Sequence, residues 1–154
     1  MAALILPVPH LPQREQGECL AACAAMMLRH IGHSVNYDQL LKLLQVRTSI
    51  GAPASNIRKL ETLGVTVIYE QGSWADLENH LAHNRPCLAV VQTGELPYWE
   101  ERSEHAVVVV GLDDEFIYLN DPAFPDAPIR TPRAEFDLAW LEQDESYAVL
   151  IQQD

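Results

Sequence analysis

A thiol and an imidazole can together form and break an acyl bond, so the three cysteines and six histidines of this 154-residue chain come first. Cys19 follows Gly17 and Glu18 and opens a stretch, 19–31, that is apolar on nearly every side. Such a stretch predicts a central, buried helix, with Gly32 as its stop signal. The first turn of a helix exposes unpaired N–H groups and a partial positive charge, and both favour thiolate over thiol. A nucleophilic cysteine needs that placement. A small apolar residue in a buried helix is the plainer reading, and taken singly Cys19 fits either. Cys23 lies one turn further in, outside that field, and Cys87 sits inside an apolar run. Both read as structural.

A thiolate needs a base. His105 opens the run 106–110, Ala-Val-Val-Val-Val, the most strand-like segment of the chain. The mouth of a rigid strand positions a base well, although an edge residue at a strand start would look the same. His10 belongs to a proline-bound lead-in, and His30 and His33 end the first helix. His80 and His83, three apart on a polar helix, are expected on a solvated face. Asp121 follows the next strand in Asn120-Asp121-Pro122. In a hairpin its carboxylate can come beside the start of the partner strand, accept the imidazole N–H and fix the tautomer. Asp before Pro is also a frequent turn signal.

Other chemistries fit less well. Cys19 and Cys23, with His30 or His33, do not have the spacing of a zinc site. There is no C-x-x-C and no glycine-rich phosphate loop. No metal and no cofactor are expected.

The elements that must position these residues can be read in order. Pro7, Pro9 and Pro12 keep the opening extended. Asn36 with Gln39 predicts a capping box and a short helix through Leu44. Pro53 opens a third helix that ends at Gly64. Strand 65–69 follows, then helix 74–83 capped by Ser73 and the apolar strand 87–92. Strands 105–112 and 116–120 form a hairpin. Residues 121–132 read as a proline-rich loop, 133–141 as a helix and 147–152 as the last strand. Helices first and mostly antiparallel strands after predict an α+β fold, one domain over 1–154: a helical lobe led by one buried helix, packed on a sheet, with a cleft at the junction.

Composition narrows the function. A net charge of −12 with scattered basic residues argues against a nucleic-acid partner. The apolar stretch 2–6 is far short of the roughly 20 residues that span a bilayer, and lacks a signal peptide's basic flank. No membrane insertion is expected. Three cysteines, an odd number, suit a reducing cytoplasm.

Taken together, Gln13, Cys19 six residues later and Cys23 four beyond that resemble the opening motif of the bacteriocin-processing peptidases. These are bacterial papain-like domains of peptide-exporting transporters that cut leader peptides after a double glycine. The resemblance continues through His105 opening a hydrophobic strand and Asp121-Pro122 after the following strand. It ends with Phe136, Trp140 and a final strand, so it spans about residues 8–151. It implies a papain-like cysteine peptidase with Cys19 as nucleophile, His105 as base and later acid, Asp121 as the orienting carboxylate, and Gln13 as a donor to the oxyanion. Gln16 is the rival for that last role.

Two departures stand out. The family's glycine after the nucleophile is Leu20 here, which would narrow the cleft. The chain also carries no membrane span and no nucleotide-binding motif, so a free-standing enzyme acting on a peptide or protein is expected, with a functional link to a peptide exporter or operon partner. The same triad would serve an isopeptidase, an acyltransferase or an effector acting on host protein. A catalytically silent peptide-docking module is the reading from another class. Tyr98 and Trp99, just before His105, and Phe124, after Asp121, are candidates for a substrate-binding wall.

Overall fold

The apolar stretch behind Cys19 becomes α1 (Cys19–His30), in which every residue from Leu20 to Leu28 is buried. A helix with no polar face must be covered all round, and in this computed structural model, which describes residues 4–153, it is. α2 (Tyr37–Leu43) and a 3-10 helix (Ala54–Leu63) pack around it, and β4 (Glu104–Leu112) runs beneath it. The remaining elements are β1 (Leu4–Ile5), β2 (Val65–Gln71), α3 (Trp74–Ala82), β3 (Cys87–Gln92), a short 3-10 turn (Thr93–Glu95), β5 (Phe116–Asn120), β6 (Ile129–Pro132), α4 (Arg133–Leu141) and β7 (Ser146–Gln152).

The strands form one sheet in the order β2-β7-β3-β4-β5-β6, with β1 added to the far end of β4. Every pairing is antiparallel. Alternate side chains divide between two cores. Leu88, Val90, Ala106, Val108, Val110, Ala148 and Leu150 join the α1 core. Ala89, Val91, Val107, Val109, Tyr147 and Val149 join a second core with Leu77 and Leu81 of α3 and Phe136 and Trp140 of α4. The sheet therefore lies between two helical layers. This explains why its central strands are apolar runs rather than alternating ones. The fold is α+β as expected, but the helices cover both faces of the sheet rather than forming one lobe against it.

Other differences have local causes. Residues 54–63 wind as a 3-10 helix, burying only Ile57 and Leu60. Those two are three apart, the repeat at which 3-10 side chains line up. The last four residues of the expected loop 121–132 form β6, with Thr131 opposite Ile117. Asn36 caps α2 through the Gln39 amide; the reciprocal two-way box lies at Ser73 with Asp76 on α3.

His80 is not on a solvated face; it is only 7% exposed. Its Nδ1 accepts from Arg85 Nε at 3.0 Å, which leaves the proton on Nε2 to donate to the Tyr147 hydroxyl at 3.2 Å. Tyr147 in turn donates to Glu70 at 2.8 Å. Burial, then the charge of Arg85, holds this imidazole below its ordinary pKa. A polar helix face can thus turn inward when a long-range partner receives it.

Candidate active site

The N-terminus of α1 is carried by a tight approach between two loops. Gly17 has φ +84°, and a side chain there would sit 3.0 Å from the backbone nitrogens of Ser49, Ile50 and Gly51. The Ser49 amide donates to the Gln16 carbonyl at 2.7 Å. Between these loops Glu18 is buried, 2% exposed, and accepts from Tyr37 Oη at 3.0 Å and from Thr48 Oγ1 at 3.3 Å. Among the described residues no Lys or Arg pairs with it. Glu18 therefore straps the 47–51 loop to the residues preceding Cys19, which sequence spacing alone does not reveal. Glu18→Ala should remove the carboxylate that accepts from the half-buried Tyr37 and the exposed Thr48 and cost about 1–3 kcal/mol, the range for bonds to a charged group. Urea unfolding measures the loss, and faster hydrogen exchange at the Ser49 amide would mark its origin; unchanged exchange there would refute the strap.

On the other side, β4 delivers His105, 6% exposed, and β5 is followed directly by Asp121, which is fully buried. The Nε2 of His105 donates to Asp121 Oδ1 at 2.7 Å. That leaves Nδ1 free to face the groove that His105 shares with Cys19. Cys19 and His105 thus share one groove, with Asp121 behind the imidazole. Ala106, the next residue of β4, fastens α1 to the strand: its carbonyl accepts from the Cys23 thiol at 3.4 Å. Cys23 is fully buried, and burial pushes its pKa up.

The electrostatics follow from this packing. Burial works against a Cys19 thiolate. The hydrogen bond and charge of His105, with the amides of Ala106 and Leu20, outweigh it and bring the thiol below its ordinary pKa. Burial likewise opposes an imidazolium at His105, yet its bonds to Asp121 and Cys19 push it up to about 9. For Asp121, burial is offset first by the bond and charge of His105, then by the Ala123 amide and the Trp99 indole; its pKa is lowered. The arrangement favours a thiolate–imidazolium pair backed by a carboxylate, which can attack a carbonyl carbon and return a proton to a leaving group.

Tyr98 and Trp99 both point at the carboxylate: Tyr98 Oη donates to Asp121 Oδ2 at 2.8 Å and Trp99 Nε1 to the same oxygen at 2.9 Å. Trp99 also meets the His105 ring edge-on at 5.0 Å, and Phe124 meets both aromatic rings edge-on, each at 5.2 Å between centroids. The reason is that a buried phenol and indole need acceptors, and Oδ2 is left free when Oδ1 takes His105 and the Ala123 amide.

Gln13 is anchored by its backbone N–H to the Pro122 carbonyl at 2.8 Å. Its side-chain amide turns into its own loop and donates to Glu15 O at 3.2 Å, while Oε1 is buried without a partner. Neither Gln13 nor Gln16 lines the groove at Cys19. Leu20 does, 3% exposed, in a cleft of about 170 Å³ shared with Gly17, Ile50, Ala52, Val90 and Glu104.

Comparison with known proteins gives a consistent picture. A protein of Bacillus anthracis described as a candidate C39-like peptidase has the same fold over 100% of both chains, with TM-score 0.83 and 18% identity. The peptidase domain of Streptococcus ComA, a bifunctional transporter of a quorum-sensing pathway, matches over 97% of this chain and 99% of its own, with TM-score 0.75 and 20% identity. A double-glycine-motif protease from an AMS/PCAT transporter, solved with its leader peptide, matches over 97% and 94%, with TM-score 0.73 and 22% identity. The uncharacterised protein YvpB of Bacillus subtilis is 47% identical over 50 residues, 32% of this chain and 19% of that longer protein. No helix among the described residues is long and apolar enough to cross a membrane. The model of the Peptidase_C39 like family matches residues 5–148, and the chain belongs to that family.

Proposed function

We propose that this protein is a cysteine peptidase that hydrolyses a peptide bond in a peptide or protein substrate. The observation that carries the reading is that Cys19 and His105 line the same open groove while His105 is bonded behind to Asp121. Cys19 attacks the carbonyl carbon as thiolate. His105 holds the proton and gives it to the leaving amine, and water then releases the acyl group with His105 as base. Asp121 holds the imidazole in the tautomer this requires. The developing oxyanion is met by the Cys19 backbone N–H and by the Gln13 amide once that side chain leaves Glu15. Such a donor contributes about 10²–10³ in rate. The family's transporter-borne members support a leader-like peptide as substrate and an exporter as functional partner.

Intact-mass labelling with iodoacetamide across pH tests this on the wild type, Cys19→Ala and His105→Ala. One thiol should react fast below the ordinary thiol range, the label should map to Cys19, and the low-pH reactivity should vanish without His105. A Cys19 that reacts like a free thiol and ignores His105 would sink the peptidase reading and favour a docking module.

A further inference from the structure

The cleft beside Cys19 has a chemical character that the reacting residues do not use. Its floor and walls come from Leu20, Ala52, Ala54, Val90 and Ala106, with Ile50 on the loop opposite. Ile50 is 70% exposed, an unusual position for a large apolar side chain. At the rim stands one carboxylate, Glu104, the residue before His105. Glu104 is exposed, and among the described residues its carboxylate makes neither an ion pair nor a side-chain hydrogen bond. Glu95, earlier in the same segment, meets Arg102 instead, and Glu100 and Glu101 do not line the cleft.

An apolar trough about 170 Å³ in volume is more than a glycine needs. A lone carboxylate at the end of such a trough matches a side chain with a hydrocarbon stem and a cationic head. We propose that this cleft is a subsite for a lysine or arginine of the substrate next to the scissile bond, its stem against Leu20, Ile50 and Val90 and its head on Glu104. The proposal rests on the peptidase reading for the word substrate, but the subsite itself does not depend on turnover. Leu20, which stands where the family has glycine, gives that trough an apolar wall for the stem. The net charge of −12 adds a long-range attraction for a basic peptide.

The test uses paired thiol-reactive peptides, acetylated tripeptide chloromethyl ketones with lysine or its neutral isostere norleucine at the first, second or third residue before the reactive carbon. The second-order rate of Cys19 modification is read by intact mass. At one of the three positions lysine should exceed norleucine by about three- to tenfold, the range for a partly desolvated surface ion pair. Glu104→Gln should bring that ratio close to one, Glu104→Lys should drive it below one, and raising the ionic strength should shrink it in the wild type. Equal rates for lysine and norleucine at all three positions, or a lysine preference that survives Glu104→Lys, would overturn the subsite. Failure of the peptidase reading looks different: the lysine ratio would stand, while iodoacetamide labelling of Cys19 would show no dependence on His105.

Discussion

Asp121→Asn should weaken the acid-stable reactivity of Cys19, and with it peptide hydrolysis, and destabilise the fold at the same time. The carboxylate is the acceptor for four donors: His105 Nε2 and the Ala123 amide on Oδ1, Tyr98 Oη and Trp99 Nε1 on Oδ2. A carboxylate can accept all four, whereas a carboxamide turns one edge into N–H donors. In one orientation its NH₂ faces Tyr98 and Trp99; in the other it faces His105, which must then present a lone pair at Nε2 and carry its proton on Nδ1, toward Cys19. The second orientation is the wrong tautomer for taking a proton from the thiol. The first leaves two buried donors unpaired, at about 1–3 kcal/mol. The expected result is therefore a loss of low-pH Cys19 alkylation together with a lower urea midpoint. Trp99→Phe separates the two effects, because it removes one donor and leaves the tautomer alone. It should lower the midpoint while leaving most of the alkylation rate. An Asp121→Asn protein that keeps the wild-type alkylation profile would refute the orienting role.

The contrast between Asp121 and its two aromatic donors shows what a sequence exposes. Cys19, His105 and Asp121 each sit at a break between elements, where the pattern changes from extended to helical or from strand to turn, so position could be read from local periodicity. Tyr98 and Trp99 lie 23 and 22 residues from their acceptor, and Glu18 lies 19 and 30 residues from its two donors. No local pattern records such distances. His80 is the same case: its acceptor Tyr147 is 67 residues away, so the helix face that holds it looks polar until β7 arrives. The helix and strand order was legible because apolar periodicity is local. The second helical layer was not, since a strand buried on both faces and a strand buried on one differ only in which helices return to cover it. β6 is four residues long, too short for alternation to register. The spacing of Cys19 and Cys23 was visible, but not its physical sense: one turn behind Cys19, the Cys23 thiol bonds the Ala106 carbonyl and so ties α1 to the strand that carries His105.

The pairing of Cys19 with His105 also predicts how stability changes with pH. His105 sits at about 9 in the folded protein against an ordinary 6.5. A raised value means that the folded state holds the proton more tightly. Its contribution is therefore complete below pH 6.5 and is lost as pH rises through about 9, an amount on the order of 3 kcal/mol. Cys19 has the opposite sign: its folded value is depressed, so its contribution is present above the unfolded value and is lost as pH falls through the depressed one. Between the lowered thiol value and 9 the two contributions change in opposite directions and offset each other in the wild type. Cys23 and Cys87, raised by burial, also withdraw stability in alkali, but only from pH 9 upward, where the unfolded thiols begin to ionise. Only the removal of Cys19 therefore shows the His105 fall by itself. Stability from urea unfolding between pH 6.5 and 9 should fall in Cys19→Ala, by less than the full amount because one of the two partners that raise the imidazole is gone while Asp121 remains. The wild type should fall less steeply there, and His105→Ala should stay nearly level. A fall of equal size in His105→Ala would place the titrating group elsewhere and remove the buried imidazolium from the site.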